Sequence, residues 1–277
     1  MVSGRTTGMA ALALLLATRA GAQEAGCETG PGCAIPRPAS EAAAVNRASL
    51  EYGITHFDGP SAPQAWHTVS AELSRKARAA TLVARATVAE RFGKRGEQFE
   101  VDAYPRISER FYGYLNAGWS PSEIFPELRL GAELYANAGG GTELSAGARR
   151  LEFATQGVTI LTGSVGRYAG NYYFSARPYV TPRDEGTSYS GTLLARRYFA
   201  TADSYATLTV GAGTAPTEGA QEFELDRVSS RRVGVFGRTP VGRGVGVRWS
   251  AGYEREELTA RVDRGRLSAG LGLEKRF

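Results

Sequence analysis

The sequence predicts an all-β fold, a transmembrane antiparallel up-and-down β-barrel of about fourteen strands, with twelve the alternative count. Three observations predict it. From Arg47 to Phe277, short segments alternate apolar and polar residues with a period of two, separated by turn-type clusters and uninterrupted by any long amphipathic helix. The polar face of these segments repeatedly carries Arg and Glu at mid-strand, while the apolar face often ends on an aromatic. That is the pattern of a barrel with lipid outside, aromatic girdles at the interfaces and a polar interior. The segments also run about nine to twelve residues, the length a tilted strand needs to cross a bilayer.

Residues 1–22 read as a secretory signal peptide. Arg5 supplies a positive n-region, and Met9 to Ala17 is an apolar run shorter than the ~20 residues a spanning helix needs. Ala20-Gly21-Ala22 is a small-x-small cleavage site, so the cut is expected near Ala22. Residues 23–46, rich in Gly, Pro, Ala and Glu, are expected to form a flexible periplasmic leader. The only cysteines, Cys27 and Cys33, fall in this leader and can close a small disulfide loop in an oxidising compartment. Glu24, three residues before Cys27, stands where a lipidation signal wants an apolar residue. The chain has 33 basic and 28 acidic side chains, and two of the basic ones, Arg5 and Arg19, lie in the signal peptide. So balanced a chain indicates no nucleic-acid partner. No later apolar run is long enough for a spanning helix, which leaves the closed barrel as the membrane-compatible fold.

The barrel is expected over residues 47–277, with strands near 47–57, 65–76, 79–91, 97–105, 110–119, 128–136, 142–153, 157–168, 171–180, 187–199, 204–213, 228–239, 244–254 and 264–277. In FYGYLNAGW one face carries Phe111, Gly113, Leu115, Ala117 and Trp119, the other Arg110, Tyr112, Tyr114 and Asn116. In LRLGAELY, Leu128, Leu130, Ala132 and Leu134 oppose Arg129, Glu133 and Tyr135. The same alternation sets Phe99 and Val101 against Glu100 and Asp102, and Val247, Trp249 and Ala251 against Arg248 and Ser250. With the first strand rising from the periplasm, loops after odd strands should be long and turns after even strands tight. FDGPSAPQ, ERFGKRGE, SPSEIFPE, TPRDEG and GTAPTEGAQEFELDRVS fit the first class, RKARA, RYAGN and TPVGRG the second; FATQG is short for its class.

The last segment, RLSAGLGLEKRF, puts Leu267, Ala269, Leu271, Leu273 and Phe277 on the apolar face. A terminal aromatic on such a strand is how outer-membrane barrels present themselves to their assembly machinery, the expected protein partner alongside outer-membrane lipid. Lys275 interrupts the face, near enough to the interface to snorkel to headgroups. These features place the protein in the outer membrane of a Gram-negative bacterium.

The stretch QFEVDAYPRISERFYGYLNAGWS, Gln98 to Ser120, resembles the YaiO-type outer-membrane β-barrel family. FPELRLGAELY at Phe125 to Tyr135 and ARRYF at Ala195 to Phe199 are similar to further family segments, with DAYPR…YGYLN the most specific part. The resemblance implies a location and a fold, and it carries no catalytic residues or cofactor. Some relatives carry tetratricopeptide helices ahead of the barrel, for which the segment between Ala22 and Arg47 has no room.

An enzyme is not expected. No GxSxG elbow, Walker loop, HExxH motif or metal-type pair of CxxC motifs occurs. The alternative is an outer-membrane hydrolase using His56 or His67, the only two histidines, with Asp58 and Ser61 nearby. More informative is the predicted interior, for which Arg85, Glu100, Asp102, Arg110, Tyr112, Tyr114, Arg129, Glu133, Tyr135, Arg177, Arg196 and Arg248 are the lumen-facing candidates. Such a set either forms an ion-pair lattice that satisfies its own charges or an arginine-biased channel for anionic or saccharide material. A plugged barrel that docks a partner is the third reading.

Overall fold

The computed structural model describes residues 46–58, 65–183, 186–214, 229–258 and 262–277. The expected signal peptide, the leader, the Cys27–Cys33 pair and Ser61 lie outside the described residues. Among the described residues there are fourteen strands and no helix: β1 (Asn46–Phe57), β2 (Trp66–Lys76), β3 (Ala80–Arg91), β4 (Lys94–Pro105), β5 (Phe111–Trp119), β6 (Leu128–Gly139), β7 (Thr142–Glu152), β8 (Gly157–Ala169), β9 (Tyr172–Arg183), β10 (Gly186–Tyr198), β11 (Tyr205–Gly213), β12 (Ser229–Gly242), β13 (Val245–Leu258) and β14 (Val262–Arg276). Each pairs antiparallel with its chain neighbours, and β1 pairs with β14 to close the barrel. The seam runs from Arg47 opposite Arg276 to Phe57 opposite Arg266. It ends in a reciprocal pair, Asn46 N–H to Phe277 O at 3.2 Å and Phe277 N–H to Asn46 O at 3.0 Å. Closure leaves no strand edge, which a lipid-embedded sheet requires because hydrocarbon offers backbone groups no partner.

The outward face is apolar around the whole circumference, from Leu50 on β1 (58% exposed) through Leu130 on β6 to Leu193 on β10 (63%) and Leu271 on β14 (62%). Soluble monomers rarely show a contiguous apolar surface above a few hundred Å²; a belt on every strand is a surface made for acyl chains. Aromatics bracket it. Phe111, Tyr172, Phe174, Phe199 and Phe277 are exposed near the end that holds Asn46 and Phe277 (the terminal end). The stacked pair Phe99–Trp119, with Tyr189 and Tyr253, lies toward the opposite, loop end.

Two of the segments expected as long loops are largely strand. ERFGKRGE reduces to Phe92-Gly93 between β3 and β4, both at positive φ (54° and 71°), as a two-residue hairpin turn with the twist of its strands demands. The strands absorb the other residues of that segment, and the Phe92 ring packs against Trp66 at 4.8 Å. TPRDEG is likewise mostly strand, since β9 runs to Arg183 and β10 resumes at Gly186. The connections at 58–65, 120–127 and 214–228 are the long ones, and all lie at the loop end.

Candidate functional site

Inward side chains fill the barrel with charge networks at several levels. On the β5–β9 side Glu133 has no exposed side-chain surface and accepts from Arg149 Nη2 at 2.8 Å and from Arg177 Nη1 at 2.8 Å. Arg177 also donates to Tyr135 Oη (3.1 Å) and Thr162 Oγ1 (3.2 Å), while the Arg149 guanidinium lies over the Tyr114 ring at 4.5 Å. Arg149 can cross the wall here because residue 131 is glycine: a Cβ at that position would sit 2.6 Å from Arg149 Cδ. Gly166 similarly makes room for the buried Tyr173 ring, whose Cε2 a Cβ would meet at 2.9 Å.

On the β2–β5 side Arg85 is the hub. Its guanidinium meets Glu72 at 2.9 Å, Glu100 at 3.5 Å and Asp102 at 3.6 Å. Asp102 also accepts from Asn116 Nδ2 (2.7 Å) and Tyr114 Oη (3.1 Å), which links this network to the Arg149 stack. Arg129 reaches Glu100 at 3.5 Å, and Arg248 comes from β13 to Glu72 and Glu51, both at 3.5 Å. Most of these residues are neighbours on the consecutive strands β2 to β6, and Arg248 joins them because β14 and β1 close the barrel.

At the terminal end the β10–β11 turn folds Asp203 beneath the lumen. Its carboxylate takes Arg47 of β1 (3.2 Å), Arg238 of β12 (2.5 Å) and Arg276 of β14. Glu274 bridges two of the same arginines, Arg47 at 3.4 Å and Arg238 at 2.5 Å. At the loop end Glu254 and Glu256 hold Arg264 and Arg266, and Arg264 lies over the Phe57 ring at 4.9 Å. Arg91 covers Phe125 at 4.7 Å and Trp66 at 5.5 Å. At the start of β4 the Lys94 ammonium donates to Glu123 of the 120–127 loop and holds its carboxyl below the usual carboxylate range, clipping that loop to the barrel.

Between the lattices lies free space. A cavity of about 220 Å³ runs along the β11–β14 wall. Its inward lining is hydroxyl and glycine (Thr209, Ser250, Ser268, Gly234, Gly252), with Phe236, Arg232, Arg266 and Glu254 around it. Arg232 donates to Thr192 Oγ1 at 2.6 Å across its edge. Small residues on this wall create the room that arginine and tyrosine occupy elsewhere. On the neighbouring wall Arg196 lies over Tyr205 at 4.4 Å and donates to Thr207 Oγ1 at 2.9 Å.

Of the residues singled out from sequence, Arg85, Glu100, Asp102, Arg129 and Arg248 fall in one network, and Glu133, Tyr135, Arg177 and Tyr114 in the next. Tyr112 stacks on Tyr135 at 4.4 Å. Arg110 does not belong with them: β5 begins at Phe111, so Arg110 is left exposed in the preceding turn, where its carbonyl accepts from Asn137 N–H. The histidines do not converge on the lumen. His56 is exposed on the outward face, and outward His67 hydrogen-bonds Tyr52 Oη through Nδ1 at 2.7 Å. Asp58 accepts from the backbone N–H of Gly265 instead. Sequence reasoning missed Asp203, whose role arises from a turn, and Arg47. It also missed an apolar cluster inside the barrel, Leu151, Phe153, Val158, Ile160 and Tyr179. Its one local signal is GVTILTGSVG, where Val158 and Ile160 share a segment with outward Leu161 and Val165.

A family model described as the YaiO membrane beta barrel domain matches residues 45–218, more than half of the chain. No curated protein matches the sequence. Among solved structures the fold is similar to a monoaromatic hydrocarbon channel, CymD (TM-score 0.53, 7% identity, 84% of this chain and 88% of that one). It is also similar to the Acinetobacter baumannii outer membrane protein Omp33 (TM-score 0.52, 9% identity, 84% of this chain and 99% of that one). A third is a bacterial polysaccharide outer membrane secretin (TM-score 0.50, 9% identity, 84% of this chain and 98% of that one). Likeness at such identities establishes the fold.

Proposed function

The chain belongs to the YaiO membrane β-barrel family, and on that premise we propose that it is an outer-membrane barrel of transport type whose lumen rests closed and admits small anionic or saccharide solutes. Export by the signal peptide cut near Ala22, and assembly through the strand ending in Phe277, belong to the same proposal, as does a terminal end that faces the periplasm. The longer loops at 58–65, 120–127 and 214–228 then face outward, as in barrels of this kind.

One observation carries the reading. The lumen holds a cavity lined by hydroxyls and arginine, and the mouth at the terminal end is drawn together by Asp203 and Glu274 on Arg47, Arg238 and Arg276. Three cations share two carboxylates there, so the mouth carries an excess of positive charge that favours anions. A wide static pore would leave its charges to water; here Arg248 of β13 reaches past β14 and β1 to Glu72 on β2. Hydroxyls beside Phe236 and Arg232 also match the mixed polar and flat surfaces that hold a sugar.

Planar-bilayer recording of the purified barrel tests it. The expected result is a small, seldom-open conductance that prefers anions, unchanged when His56 and His67 are both replaced by alanine. A large, permanently open cation-selective pore would overturn the proposal, as would no conductance at any voltage.

A further inference from the structure

The outward surface near the terminal end carries a basic and aromatic patch on three neighbouring strands. Arg167 of β8 stands opposite Phe174 of β9, and Arg197 of β10 stands opposite Tyr172 of β9. Tyr172 and Phe174 stack at 5.9 Å with their planes 11° apart. The Arg197 guanidinium lies 5.8 Å from the Tyr172 ring and 5.4 Å from Phe199. The two arginines therefore flank a ladder of exposed rings.

Both arginines are exposed on the lipid-facing side, and among the described residues neither is ion-paired to a carboxylate. Two outward arginines at the loop end are paired instead, Arg150 with Glu152 and Arg255 with Asp263, each at 2.6 Å. A guanidinium held beside acyl chains needs a counter-charge, and if the protein does not supply one the headgroup layer must. Phosphate suits it best, since the planar fork donates two N–H groups to two phosphate oxygens. The aromatic ladder sits at the depth where such rings favour the boundary of hydrocarbon and headgroup.

We propose that Arg167, Arg197 and the Tyr172–Phe174–Phe199 rings between them form a binding site for the headgroup phosphate of an anionic phospholipid in the leaflet at the terminal end. The acyl chains would lie along Val165, Ala176 and Leu193, the outward residues next toward mid-membrane on the same three strands. Such a lipid would tie the barrel to one leaflet and fix its depth.

Native mass spectrometry of the barrel released from mixed phosphatidylethanolamine and phosphatidylglycerol bilayers tests the site. The parent should retain phosphatidylglycerol preferentially. Arg167→Gln with Arg197→Gln should lower that preference by about tenfold, each single change by less, and Arg150→Gln at the loop end should leave it unchanged. Inorganic phosphate at matched concentration should not displace the lipid. Heat-modifiable gel migration reports that each variant is folded, and the single variants carry the test if the double one is not. Undiminished preference in the folded variants would overturn the proposal. So would an equal loss in Arg150→Gln, or displacement by free phosphate, which would make the site a simple anion site.

Discussion

Glu133→Ala is expected to destabilise the barrel by about 3–5 kcal/mol, the cost of removing one partner from a buried ion pair and leaving the opposite charge behind. The side chain is wholly enclosed and stands between two guanidiniums, Arg149 and Arg177, at 2.8 Å each. Without it two cations face each other across a vacated volume, in surroundings where water cannot enter freely. Tyr135 and Thr162 would still accept from Arg177, but neither offsets a charge. Glu133→Gln keeps the volume and loses the charge, and should fall between alanine and the parent. Replacing the three charged residues together with leucine or methionine should recover much of the loss, because a buried ionic triad and a well-packed apolar one are often close in stability. Reversible denaturant unfolding in lipid vesicles, followed by tryptophan fluorescence, measures all of these. If Glu133→Gln is as stable as the parent while Glu133→Ala is not, volume and not charge is the cause.

Asp203→Ala should raise the occupancy of the conducting state about tenfold, since hydrogen bonds to charged groups contribute roughly 1.5–3 kcal/mol each and every 1.4 kcal/mol is a factor of ten. Among the described residues this carboxylate is the one acidic group that reaches Arg47, Arg238 and Arg276 together, and it sits on a turn, not in the wall. Its loss leaves Glu274 to hold Arg47 and Arg238, and the freed positive charge should shift selectivity further toward anions. Because the mouth is near solvent, the effect should shrink in molar salt, where the screening length falls to about 3 Å. Asp203→Glu retains the charge and should stay close to the parent. Single-channel recording at low and high salt reads the outcome; parental conductance and selectivity in Asp203→Ala would remove the turn from any gating role.

How much of this was legible in the sequence follows from what is local. Alternation along one strand depends only on neighbouring residues, so the faces around Leu130, Glu133 and Leu134, or Val247, Arg248 and Trp249, could be read directly. The count of fourteen strands came from the same signal. Turn length was less legible: Phe92-Gly93 closes a two-residue hairpin only because a phenylalanine accepts a positive φ while resting on Trp66, and no motif announces that. The charge partners were illegible. Arg248 and Glu72 stand 176 residues apart, and which arginine meets which acid is decided by inter-strand register around the closed ring. The apolar lumen cluster at Leu151 and Ile160 also breaks the rule of a polar interior, so a reading that assumed the rule had to miss it.

Everything here requires that odd and even positions of each strand see different media. A nitroxide scan along β11 in reconstituted bilayers examines this most directly. Labels at Leu208 and Val210 should collide freely with dissolved oxygen, and labels at Thr207 and Thr209 should be shielded from it. Oxygen accessibility without two-residue periodicity, or a processed protein that stays monodisperse in buffer without detergent, would contradict a lipid-facing barrel wall.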